Sequence, residues 1–269
     1  MNRRLSISLV VYVLWIAITL LGAKWLLGGE EAPLAELVKN GPGWQFAGAV
    51  ALLLAAIAAF RWHDLKFVAP HSLVKVMWFP VLVLLALSSL MVLSGLPTGT
   101  VIFWVAFNTF LVGFSEEVMF RGVMFRALLE NLKVWPAIIV TSILFGAVHS
   151  LNGFNTGDWG GALLQSVTAA MSGMIFIAIV IRTGSIWPAI IYHFLWDCAL
   201  FLAGTASSEA SGGTAEAGNI EMSAAQGLIF PLLIALPNFL CALWLLRNVR
   251  DESFRESENA VGETMQANE

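Results

Sequence analysis

Lipid is the first constraint on this chain. Eight stretches, roughly 5–27, 43–60, 73–94, 99–125, 134–150, 160–181, 185–203 and 225–247, are predominantly apolar. Each approaches the length of about 20 residues that carries a helix across a bilayer. With 58% of its 269 residues hydrophobic and 12% charged, the sequence holds more apolar surface than a soluble domain of this size could hide. The expected fold is all-α: a polytopic membrane bundle of about eight transmembrane helices. Residues 1–250 then form a single transmembrane domain. The segment 204–224 is small, polar and acidic and is expected to be a flexible loop. The charged tail 251–269 lacks an apolar face and is expected to be disordered.

The start, MNRR followed by a long apolar run, resembles a signal peptide but lacks a clean small-x-small cleavage site. It reads as a retained first span. Orientation follows from the basic residues. With eight crossings both termini share one side, and Arg3, Arg4, Arg61, Lys66, Lys75, Arg126, Lys133, Arg182, Arg247, Arg250 and Arg255 all fall there. Only Lys24 and Lys39 fall opposite. The expected placement is the cell membrane, multi-pass, with both termini cytoplasmic. No groove-sized basic patch exists, so nucleic acid is not an expected partner; the bilayer is. Cys198 and Cys241 both sit in apolar runs and do not suggest a disulfide framework.

The pentapeptide WPAII occurs at 135–139 and again at 187–191. Interfacial Trp followed by Pro in a first turn marks two helix starts. In the sixth span Gly161, Gln165, Ala169 and Gly173 recur every four residues, a small stripe suited to close helix packing. Pro231 and Pro237 are expected to bend the last span.

Against this background six ionisable groups stand out within the spans: Glu116, Glu117, Arg121, His149, His193 and Asp197. The three in the fourth span would together cost on the order of 7–10 kcal/mol if left unpaired. Such groups face a bundle interior and have partners. Glu117 and Arg121 are four apart and share a helix face, as are His193 and Asp197. Glu116 points about 100° away from Glu117. Only one of the two glutamates can therefore pair well with Arg121, which leaves the other available as a general base. Glu117 lies 16 residues before Lys133 and His149 lies 16 after it, so an antiparallel pair of spans puts both at one depth, about 24 Å from that turn. His193 is only about 8 Å from the start of its own helix. The depths match if the turn at 126–135 protrudes, or if the seventh span starts deep in the membrane.

EEVMFR (116–121) fits an EExxxR motif, FGAVH (145–149) an FxxxH motif, and HFLWD (193–197) an HxxxN/D motif. In order and spacing these resemble the CPBP family of intramembrane proteases, which includes type II CAAX prenyl endopeptidases and bacteriocin-processing or immunity proteins. The resemblance covers about residues 99–203, the expected catalytic core. It implies peptide-bond hydrolysis in the membrane. Glu116 would activate water together with His149, Glu117 and Arg121 would hold the site in register, and His193 with Asp197 would stabilise the oxyanion. The third motif ends here in Asp197, where CAAX enzymes carry Asn. An ionised Asp accepts hydrogen bonds and cannot donate one to an oxyanion, so an orienting role towards His193 is the other option for it.

Amide hydrolysis needs a base, an oxyanion donor and an acid for the leaving amine, and two glutamates and two histidines supply all three. Glu116, His149 and His193 could also hold Zn²⁺ with water as a fourth ligand, although the chain has no HExxH and no Cys cluster. The expected partner is a membrane-associated peptide or protein substrate. Two other readings use the same residues: a transporter or proton relay built on the buried charges, and a non-catalytic immunity or binding protein of the same family.

Overall fold

A computed structural model describes residues 2–93, 95–210 and 224–256. The described elements are helical throughout. They comprise α1 (Arg3–Leu26), α2 (Glu36–Lys39), α3 (Trp44–Phe60), α4 (Leu73–Leu93), α5 (Gly99–Glu117), a π-helix (Val118–Met124), α6 (Phe125–Leu129), α7 (Val134–His149), a 3-10 turn (Ser150–Asn152), α8 (Gly153–Thr156), α9 (Trp159–Thr183), α10 (Trp187–Ala210) and α11 (Ala224–Leu246).

Among the described residues, seven helices are long and apolar enough to cross a membrane. The second of the eight expected spans is a shorter apolar helix, Trp44–Phe60. At 17 residues it rises about 26 Å, still near the thickness of a hydrocarbon core. The chain is an all-α, multi-pass membrane protein.

Contacts between connectors define the two ends of the bundle. At one end Arg4 bridges Asp64 and Glu130, Val134 N–H donates to Asp251, His71 N–H donates to Thr183 O, and Ile186 N–H donates to Lys66 O. At the other, Lys24 donates to Phe154 O and Ala32 N–H to Asn155 O. Both described termini therefore lie at the first end, and α3 joins the two ends as a crossing would.

Two expectations change. The acidic loop was expected from residue 204, yet α10 continues to Ala210; residues 211–223 lie outside the described part. Residues 251–256 of the tail are helical rather than disordered, because Arg255 donates to Leu129 O and Leu132 O and pairs with Asp251. Residues 257–269 lie outside the described part.

Close approaches hold the centre together. A Cβ on Gly146 of α7 would meet Ser166 O at 2.5 Å and Ala170 Cβ at 2.7 Å, and one on Gly113 of α5 would meet Phe194 N at 3.0 Å. These glycines bring α7 onto α9 and α5 onto α10. The four-residue stripe on α9 serves this only in part. Gly173 faces Ser142 and Phe145 of α7, but Gly161 faces the α9 N-cap Asp158, and Gln165 bonds Asn152. Both WPAII copies lie at helix starts, in α7 and α10.

Candidate active site

Helices α5, α7 and α10, with the π-helix that follows α5, bring the six ionisable groups into one cluster. At its centre is Glu117, whose Oε1 accepts from Arg121 Nη1 at 2.9 Å and from His193 Nδ1 at 2.8 Å. Arg121 is fully buried. Its Nη2 donates to Gly173 O at 3.2 Å, and its guanidinium lies over Phe145 and Phe176 at 4.2 and 4.9 Å from the ring centroids. A charge in this position is tolerated because it has a carboxylate, a carbonyl and two π-faces around it. Phe176 also stacks on the His193 ring at 4.5 Å, fixing its plane.

The residues Val118–Met124 form a π-helix, and all seven are buried. Such bulges carry an extra residue per turn and occur at functional sites. Here the bulge follows directly on the two glutamates and holds Arg121.

Glu116 faces elsewhere. Its Oε2 has no hydrogen-bond partner in the protein and lies 4.0 Å from His149 Nε2 and 3.7 Å from His193 Nε2. His149 Nδ1 lies 2.7 Å from Phe145 O. A carbonyl only accepts, so Nδ1 carries the proton and Nε2 of the neutral ring offers its lone pair towards Glu116. Asp197 Oδ2 is 3.4 Å from His193 Nε2, on the same side as Glu116. Glu117 thus orients the ring of His193 through Nδ1, and Asp197 faces Nε2, the nitrogen that points to Glu116.

A cavity of about 380 Å³ opens beside these groups; Glu116, His149 and Asp197 line it, with Trp15, Leu34 and Phe201 among its apolar walls. The sequence offers no signal for the aromatic pair around Arg121, for the π-helix or for the contribution of α1 through Trp15. These depend on packing across helices.

No group of three His, Cys, Asp or Glu side chains among the described residues is arranged to hold a metal ion. Of the set expected to be able to hold Zn²⁺, His193 gives its Nδ1 to Glu117 and keeps Nε2 turned towards Glu116, as His149 does with its own Nε2.

No curated protein and no solved structure matches the chain. Residues 97–199 match the family described as Type II CAAX prenyl endopeptidase Rce1-like. That region holds all six clustered side chains, and over it the chain is similar to this family, which agrees with the resemblance of its motifs to the CPBP group.

Proposed function

We propose that the protein is an intramembrane endopeptidase of the glutamate type that cleaves a peptide bond in a membrane-associated peptide or protein. The observation that carries this reading is the buried, unpartnered Glu116 Oε2 facing two imidazole nitrogens at 3.7 and 4.0 Å on the wall of a cavity. These separations are too long for direct hydrogen bonds and suit a bridging water. Glu116 takes a proton from that water as it attacks the scissile carbonyl. His149, with its Nε2 turned to the same point, assists the transfer and delivers the proton to the leaving amine. His193 Nε2, when protonated, donates to the developing oxyanion. Glu117 and Arg121 act through His193, as positioning residues. Asp197 stands beside Nε2 and tunes its proton.

The protein acts in the cell membrane with both termini in the cytoplasm. The test compares the peptide content of membranes carrying the active chain with those carrying Glu116→Ala, alongside a proton or solute flux assay. A peptide shortened only by the active chain is expected, with no flux from either. Flux abolished by the substitution would support a transporter, and identical results for both chains in both assays would support a binding protein.

A further inference from the structure

The cavity is walled differently at its two ends. Its lining residues nearest the terminal end include Trp15, Glu116 and Asp197. From Glu116 it runs along residues that lie progressively closer to the end remote from the termini. On α1 these are Trp15, Thr19 and Ala23; on α10 they are Asp197 and Phe201. Leu34 and Leu37, from the connector between α1 and α3, line one side of it. That connector is pinned by Asn108, fully buried, whose side chain accepts from Gly43 N–H and donates to Val38 O and Gly41 O.

Three carboxamides line this outer part: Asn152, Asn155 and Gln165. Asn152 Nδ2 donates to Gln165 Oε1 at 2.8 Å. Asn155 is 3% exposed, and its Oδ1 has no hydrogen-bond partner. A buried acceptor left unsatisfied costs about 1–3 kcal/mol, which a donor from a bound molecule would recover. A carboxamide offers the same donor and acceptor pair as a peptide unit, so a row of them in an apolar cavity suits an extended backbone. Among the described residues lining the cavity none is Lys or Arg, and its charged members are Glu116 and Asp197. Apart from the imidazole of His149, which the hydrogen bond to Phe145 O leaves as a neutral ring here, the lining offers no cation to pair with a carboxylate.

We propose that the cavity admits an extended, non-anionic peptide segment from the end of the bundle remote from the chain termini, and that Asn155, with Asn152 and Gln165, holds that segment's backbone. This deepens the peptidase reading and rests on it. With cytoplasmic termini, the segment is presented at the outer face of the membrane, as an exported or outward-facing tail would be. Asn155 is a specificity residue and does not touch the reacting atoms.

The side of access is measured without any cleavage. In a Cys198→Ala, Cys241→Ala background, single cysteines are placed at Thr19→Cys in the cavity and Glu252→Cys at the terminal end. Intact cells are treated with a membrane-impermeant thiol reagent. Modification of Thr19→Cys from outside, with Glu252→Cys modified only in inverted vesicles, is the expected result. Thr19→Cys modified only in inverted vesicles would overturn the access side and leave the cleavage test of Glu116 untouched.

The backbone contact is read with quenched fluorescent peptides of neutral, lysine-flanked and glutamate-flanked sequence. Neutral and lysine-flanked peptides are expected to slow modification of Thr19→Cys in Glu116→Ala protein at least tenfold, and glutamate-flanked ones far less. Asn155→Leu is expected to abolish that protection, and Asn155→Gln to restore part of it. Equal protection by all three peptides, or protection unchanged in Asn155→Leu, would overturn the contact.

Discussion

His193 Nδ1 lies 2.8 Å from Glu117 Oε1, across 76 residues of chain, and the same oxygen is the partner of Arg121. One buried carboxylate thus holds a cation and an imidazole at once. Glu117→Ala should strand both, and removal of one partner of a buried charge pair costs about 3–5 kcal/mol. A large fall in thermal stability in detergent is expected, with cleavage lost as a consequence. A Glu117→Ala protein as stable as the parent would show that the pairing is dispensable.

Glu116 should behave in the opposite way. It has no protein partner for Oε2, so Glu116→Gln should change stability by less than about 1 kcal/mol. Cleavage should fall by about 10²–10⁴-fold, the usual contribution of a positioned base. Measured side by side, Tm unchanged and turnover lost separates the chemical role from the structural one. The same assay with a divalent-metal chelator should leave the parent rate unchanged.

Arg121→Lys keeps the charge and loses the geometry. A lysine cannot pair with Glu117, reach Gly173 O and present a flat cation to Phe145 and Phe176 at the same time. A loss of about 1–3 kcal/mol is expected from these contacts together. Differential scanning of the purified variant reads it; a value near zero would mean that charge alone suffices.

Gly146 sets the distance between α7, which carries His149, and α9. Gly146→Ala places a Cβ within 2.5 Å of Ser166 O and 2.7 Å of Ala170 Cβ, so the helices must move apart. Overpacking of this kind costs about 1–3 kcal/mol. Cleavage should drop further than stability alone explains, because His149 moves with α7 relative to Glu116. Unaltered turnover would argue against that coupling.

The C-terminal turn should respond to acid. The Val134 N–H, then Arg255 and Lys133, hold the Asp251 carboxyl below its ordinary value of 3.8. A lowered folded pKa contributes stability above the unfolded value, and that contribution is lost as pH falls through the folded one. Docking of residues 251–256 should therefore persist at neutral pH and loosen below pH 3.8. Amide exchange at Val134 followed downward in pH checks this. At neutral pH, Asp251→Asn should speed tryptic cutting at Arg255.

Hydropathy alone gave the number of spans to within the short helix Trp44–Phe60, because lipid penalises any long apolar run that does not cross it. The same penalty made the six polar groups conspicuous, and helical spacing alone paired Glu117 with Arg121. The depth mismatch between His193 and its partners was visible too. Since His193 touches Glu117, α10 must start well short of the α6 end, and the residue 61–72 connector covers that start through Lys66 and Val68. Which nitrogen of His193 meets which carboxylate, the aromatic pair under Arg121, the π-helix and the direction in which the cavity opens were decided by tertiary structure. Each depends on the azimuth and offset of one helix against another, which glycines such as Gly113 and Gly146 fix through contacts in space, and no spacing along a single helix encodes them.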